Sequence, residues 1–381
     1  MSQFDTIHPR RGTGSHKWDR RPELDPFWIA DMDFQSPPAV IEALEKRVRD
    51  GIFGYPWAHP GISEAILEYL SNRHGVSANA DHLLHLGGLV PALSLAGRAF
   101  AEAGDALLTC TPVYPPFLGV HRDAGLELIK VPHALADEKW SFDWDALEAS
   151  VTPRTKMFIL CHPQNPLGRV FPKEDIIKVA EFCDRHDLVL LSDEIHCDLV
   201  LDEAATPFYS ALKLPPELLK RVVVLQSPSK TYNIAGLGYA FAVIPDDSLR
   251  RKFTTAKGHI LPEINCLAYF AAEAAYRHGE PWRQELLTYL SGNRDLLTQQ
   301  LRAGIPGLII PDIEATYLAL LDFRPLGIEH PAALFEKEAG LFLSPGAPFA
   351  APGHARLNYA CPRSSLQDAV DRMIAAVSKK A

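Results

Sequence analysis

Apolar positions along the chain change period several times, and each change predicts a different element. After Ser36-Pro37-Pro38, apolar Val40, Ile41, Leu44 and Val48 recur at helical spacing until Gly51. A second amphipathic run, Ile62 to His74, stops at Gly75. From Gly87 to about Val243 short continuous apolar runs take over: Ala106–Leu108, Met157–Cys161, Leu188–Leu191, Val222–Leu225 and Tyr239–Ile244. Helical segments such as Lys173–His186 separate most of them. Apolar strands alternating with helices predict a sheet buried on both faces and largely parallel, whose ligands gather beyond the carboxyl ends of the strands. Beyond residue 280 the pattern is mixed: a long helix over Trp282–Arg302, strands at Leu308–Ile310 and Tyr317–Asp322, and a closing helix over Ser365–Val377. The first 36 residues show no helical period and read as an extended arm, with Arg10–Arg11 and Arg20–Arg21 as solvated basic pairs.

The expected class is therefore α/β. An N-terminal arm and part of a small domain occupy 1–45, a large domain 46–279, and a smaller α+β domain 280–381. At 381 residues, 47% apolar and 22% charged, the composition is that of a globular protein of about this size. A net charge of −9 gives no footprint for nucleic acid, and no apolar stretch is long enough to span a membrane. Six scattered cysteines without a CxxC pair, and a start without a signal-peptide core, suit reduced thiols in the cytoplasm. The Glu194–His196–Cys197 cluster has ligand-type residues but no recognised metal spacing, so no metal is expected.

Chemistry concentrates where strand candidates end. In VVVLQSPSKTYNIAGLG (222–238) a buried strand runs into Ser227 and Ser229 and then Lys230. A lysine leaving the core there is placed in a desolvated pocket, where it becomes a nucleophile toward a carbonyl; the alternative is a strand-terminal lysine pointing to solvent. LVLLSDEIHCDL brings Asp193 and Glu194 to a strand end, where an ionised acid is able to hold a pyridine nitrogen protonated; an N-cap or surface acid reads equally from this segment. In FILCHPQNPLGRVF, Asn165 precedes Pro166 in a turn, and either hydrogen-bonds a cofactor oxygen or serves the turn alone. Gly87-Gly88 opens a helix whose N-terminus suits an anion. Tyr114, after a strand, is placed to lay its ring on a cofactor. Arg356 is suited to a bidentate pair with an amino-acid carboxylate, though a surface arginine fits the same residues.

Together these segments resemble the fold-type I enzymes dependent on pyridoxal 5′-phosphate (PLP), the aspartate aminotransferase superfamily, over nearly the whole chain. RGTGSHKWD (11–19), WIADMDFQSPPAV (28–40), FGYPW (53–57), SDEIHCDLV (192–200), SPSKTYNIAGL (227–237) and RLNYACPR (356–363) are similar to the MalY/PatB-type cystathionine β-lyases. The resemblance implies a seven-stranded-type, mostly parallel sheet with Lys230 holding PLP as a Schiff base. It makes Asp193 the partner of the ring nitrogen, Asn165 the donor to the ring oxygen and Tyr114 the stacking aromatic. The phosphate falls to the turn at Gly88, Leu89 and Val90 with Ser227 and Ser229, His196 joins the cofactor sphere, and Arg356 takes the substrate carboxylate. Tyr55 reaches the neighbouring subunit's site, which implies a homodimer with shared sites.

The implied reaction is α,β-elimination from an S-substituted L-cysteine such as L-cystathionine. An aminotransferase using the same residues, and a binding protein that keeps the fold without activity, are the alternatives. Two departures stand out: His162-Pro163-Gln164 replaces the usual Asn-Pro-His, and the loop GAPFAAPGHA before Arg356 is short and lacks the customary aromatic just before that arginine.

Overall fold

The computed structural model describes residues 2–259, 261 and 263–380. A seven-stranded sheet organises the large domain. In chain order its strands are β1 (Leu83–Leu86), β2 (Ala106–Thr111), β3 (Glu127–Pro132), β4 (Thr155–Cys161), β5 (Val189–Asp193), β6 (Val222–Gln226) and β7 (Ala240–Val243). They lie in the order β1-β7-β6-β5-β4-β2-β3. Only β7 runs against its neighbours, β6 and β1. The expected apolar runs form the centre of this sheet, where β2, β6 and β7 are buried at every position.

Two strands of this sheet were not foreseen. Both are at the sheet's edges, where one side of the strand meets solvent and the apolar run breaks up: β1 reads Leu-Leu-His-Leu and β3 Glu-Leu-Ile-Lys-Val-Pro. Helices α1 (Pro38–Arg49), α2 (Pro60–His74), α3 (Leu89–Phe100) and α4 (Lys173–Arg185) confirm the helical periods. Gly75 caps α2 at φ 63°, a left-handed position where glycine costs least.

The C-terminal part carries α5 (Glu280–Gly304), α6 (Arg363–Ser378) and a three-stranded antiparallel sheet of Leu318–Asp322, His354–Asn358 and Ser344–Pro345. The expected strand at Leu308–Ile310 does not form. Leu308 and Ile310 are buried, but only Ile309 bridges to Asp322, since the chain has just left the α5 terminus through a turn at Gly307.

The first 36 residues are not a free extended arm. They include a short helix, His16–Asp19, and Asp25–Pro26 pairs in parallel with Leu341–Phe342. Phe4, Phe27, Met32 and Phe34 enter the same core as Leu286, Leu318 and Val370. The basic pairs are engaged as well. Arg10 bonds the Met32 carbonyl, Arg11 pairs with Asp25, Arg20 lies over Trp28 at 5.0 Å, and Arg21 pairs with Glu23. No helix among the described residues is long and apolar enough to cross a membrane.

Candidate active site

Every strand of the sheet whose carboxyl end carries a predicted residue points that end into one cavity of about 160 Å³. Gly88, Leu89 and Val90 line it from behind β1, and Tyr114 from behind β2. Asn165 follows β4, while Asp193 ends β5 with His196 close behind. Ser227, Ser229 and Lys230 follow β6. Parallel packing is the reason: strands running one way deliver their connecting loops to one edge of the sheet.

Gly88 adopts φ 147°, outside the range most side chains accept, so the chain turns sharply into α3. The first N–H groups of that helix have no partner within it and face the cavity end, where an anion is stabilised. Ser227 Oγ donates to the Tyr239 carbonyl at 2.6 Å and accepts from the Ser229 N–H at 3.1 Å. Its one proton is committed there, so the Ser229 hydroxyl, 2.9 Å from Ser227 Oγ, donates to that oxygen and reaches an anion only by leaving the contact.

Lys230 Nζ donates to the Ala30 carbonyl at 2.8 Å. Burial lowers its pKa to about 8, with the negative charge of Asp31 opposing that shift and Arg356 adding to it. Asp193 is the reverse case. Burial raises its pKa to about 7, although its Oδ1 accepts the Ile195 N–H at 3.1 Å; the neighbouring Glu194 charge raises it further and Lys230 lowers it. Of the two adjacent acids, only Asp193 faces the cavity. Glu194 turns into the core, where Ser210, the Ala211 N–H and Gln226 hold its carboxylate. The surface-acid and solvent-lysine readings are thus excluded for Asp193 and Lys230.

Arg356 is buried rather than exposed. Its Nη1 donates to Asn165 Oδ1 at 3.1 Å and its Nη2 to the Trp28 carbonyl at 2.7 Å, while Nε has no partner. Burial depresses its pKa to about 10. Within the short loop, Phe349 stacks under the guanidinium at 4.6 Å. His196 is buried with Nδ1 unpaired, and its pKa falls to about 3, mainly through burial. Tyr114 lines the cavity beside Arg356 and Lys230.

The substituted wall is also built. His162 is fully buried and stacks on Phe208 at 4.8 Å, while Gln164 donates to the Pro112 carbonyl at 2.9 Å. Burial holds His162 neutral, with a pKa of about 3.

Tyr55 is the one predicted residue that the chain does not bring to its own cavity. It is fully exposed in a segment without regular structure, beside exposed Phe53 and Trp57. The Glu194–His196–Cys197 grouping does not converge. Among the described residues the compact cluster is instead His74, Cys197 and Asp198, tied together by the Tyr69 hydroxyl, which donates to Asp198 at 2.7 Å. Arg73 and the wholly buried Arg283 lower the Asp198 pKa along with His74, so the cluster's charge is already met. The site residues that sequence reasoning missed are Arg10, Asp31 and Asn233. Asp31 and Asn233 belong to motifs that had served only as family markers, and Arg10 had been read as half of a solvated basic pair.

A family model described as aminotransferase class I and II matches residues 27–373. Cystathionine β-lyase PatB of Bacillus subtilis is 37% identical over 98% of this chain and 100% of its own length. Among solved structures, OvoB is 38% identical with a TM-score of 0.95, covering 98% of this chain and 99% of that one. Cystalysin from Treponema denticola, which contains PLP, is 29% identical with a TM-score of 0.95, covering both chains in full (100% of each). The chain belongs to the class I and II aminotransferase family, the fold-type I enzymes that work with pyridoxal 5′-phosphate.

Proposed function

We propose that this protein is a carbon–sulfur β-lyase that takes S-substituted L-cysteines such as L-cystathionine to a thiol, pyruvate and ammonia. The observation that carries this reading is the 37% identity to cystathionine β-lyase PatB across 98% of the chain, which spans every segment of the cavity.

The residues present fit PLP. A carboxyl group buried without a cation of its own (Asp193), an unpaired His196 Nδ1 and an open helix N-terminus are three groups that a cationic ring nitrogen, a polar ring substituent and a phosphate would satisfy. Asp193 would hold the ring nitrogen, Asn165 the ring oxygen and Tyr114 the ring face. The turn at Gly88, Leu89 and Val90 would hold the phosphate together with Ser229, which Ser227 positions through the 2.9 Å contact between their hydroxyls. When bound, the cofactor supplies an electron sink for the pair left at the substrate Cα.

The chain's own groups do the rest. Arg356, with Nη1 and Nη2 set by Asn165 and Trp28, takes the substrate carboxylate and fixes the Cα–H bond. Lys230 Nζ, neutral in a useful fraction because its pKa is lowered to about 8, removes the Cα proton and holds it. The Cβ–S bond then breaks with its electron pair leaving on sulfur, which takes up a proton as the thiol. The remaining enamine hydrolyses to pyruvate and ammonia.

Tyr55 completes this site in a second copy of the chain, giving a homodimer; the exposed apolar run Ile52, Phe53, Tyr55 and Trp57 supports this. The division into 1–45, 46–279 and 280–381 is supported by two cores that lie wholly within 62–272. A cytoplasmic location suits the six unpaired cysteines.

The family model's own description favours an aminotransferase as the second reading. Incubation with L-cystathionine and no 2-oxo acid separates the two. A lyase accumulates pyruvate and thiol over many turnovers, whereas one equivalent per enzyme of the 2-oxo acid that keeps the thioether, with no thiol released, removes the lyase reading.

A further inference from the structure

In front of Lys230 the cavity widens into a chamber of about 590 Å³. Its inner end shares Ala30, Tyr114 and Lys230 with the deeper cavity and adds Arg356. Its outer wall comes from the N-terminal arm, with Arg10, Asp31 and Asp33. The arm is held in place across the lysine turn. Asn233 donates to the Met32 and Phe34 carbonyls at 3.2 and 2.7 Å, and Asn358 to the Ile29 and Asp31 carbonyls at 2.7 and 2.8 Å.

The two arm acids differ in what they have left to offer. Asp33 is spent, with one oxygen accepting from Lys17 at 2.8 Å and the other from Trp18 at 2.7 Å. Asp31 has one contact only, to Arg10 Nη2 at 3.4 Å, and its side chain is 31% exposed to the chamber. Arg10 is 26% exposed and meets Asp33 at 3.6 Å. Its firmer bonds, to the Met32 carbonyl at 3.2 Å and Ser15 Oγ at 3.1 Å, use two of its five N–H donors. Arg10 and Asp31 therefore form a loose, solvated pair with capacity on both partners, lining the same chamber as Lys230 and Arg356.

A substrate whose carboxylate is on Arg356 and whose Cα is at Lys230 directs its sulfur substituent into this chamber. We propose that Arg10 and Asp31 recognise a second amino-acid head at the far end of the substrate, Arg10 taking its carboxylate and Asp31 its ammonium group. The preferred substrates are then S-conjugates that join two amino-acid heads, as opposed to S-alkyl cysteines. The match is one of charge, since a neutral zwitterion meets a neutral ion pair, so neither partner is left buried and unpaired. This assignment rests on the lyase reading.

The test compares L-cystathionine with S-ethyl-L-cysteine on the holoenzyme, measuring kcat/KM for wild type, Arg10→Gln, Arg10→Lys and Asp31→Asn. Hydrogen bonds to charged groups set the expected effect, a ~10-fold or larger fall in the cystathionine/S-ethylcysteine ratio for Arg10→Gln and Asp31→Asn. Arg10→Lys, which keeps the charge, recovers part of the ratio. Because Asp31 also acts on Lys230, the ratio rather than either rate is the readout. If Arg10→Gln fails to fold, Asp31→Asn, whose side chain makes a single long contact, carries the comparison alone. A ratio that stays put, or two rates that fall in proportion, overturns the proposal and leaves the lyase reading standing. If the wild type cleaves neither compound, the lyase reading falls and this proposal falls with it.

Discussion

Arg356 Nη1 donates to Asn165 Oδ1 across 3.1 Å, joining a strand of the C-terminal sheet to the loop behind β4, a sequence distance of 191 residues. One contact thus sets both the group proposed to hold the substrate carboxylate and the group proposed to meet the cofactor oxygen. The planar guanidinium is what allows it, since one edge is spent on Asn165 and the Trp28 carbonyl while its face rests on Phe349.

Arg356→Lys keeps the charge and loses the fork. With one charged hydrogen bond removed, KM for L-cystathionine should rise ~10- to 100-fold while kcat changes much less. Steady-state kinetics check this. An equal fall in kcat with KM unmoved would remove Arg356 from carboxylate binding.

Asp193 carries a sign that stability measurements read directly. Its folded pKa of about 7 is above the ordinary value of 3.8, so the cofactor-free fold binds more protons than the unfolded chain. The contribution is intact below about pH 4 and is lost as pH rises toward 7. Cofactor-free wild type should therefore lose stability over that window relative to cofactor-free Asp193→Asn, which lacks the titrating group. Binding PLP should cancel the loss, because a cationic ring nitrogen stabilises the ionised acid. Denaturant midpoints of the two proteins at pH 4 and pH 7, with and without PLP, measure it. Parallel pH profiles would place Asp193 outside the ring-nitrogen role.

The pKa of Lys230 predicts how fast the cofactor is regained. The neutral amine is the reactive form, so the rate at which cofactor-free protein recovers its visible absorbance with PLP should rise with pH around a midpoint near 8, not above 10. Asp31→Asn removes the charge that opposes the shift and should move that midpoint down. A midpoint at the ordinary lysine value would mean that Lys230 is solvated.

What could be read from the chain follows from where each signal is local. Lys230 and Asp193 were visible because a buried strand announces its own carboxyl end, and both residues follow such a run at once. Asn165 and Arg356 were visible as residue types, but their pairing depends on a fold that brings distant segments together. The N-terminal arm was misread for the same reason. Arg10–Arg11 looks like a solvated basic pair until Asn233, some two hundred residues later, holds Met32 and Phe34 over the lysine turn. Edge strand β1 is short and broken by His85, and β3 is interrupted by Lys130, whereas Leu308–Ile310 has the apolar pattern of a strand and lacks a partner beyond Asp322.

The account depends most on Lys230 being the residue that carries the cofactor. Reducing the holoenzyme with borohydride fixes the cofactor on its lysine, and peptide mass mapping then locates it. The added mass should fall on the peptide containing Lys230 and disappear in Lys230→Ala. Finding it on another lysine, or on none, would contradict the account.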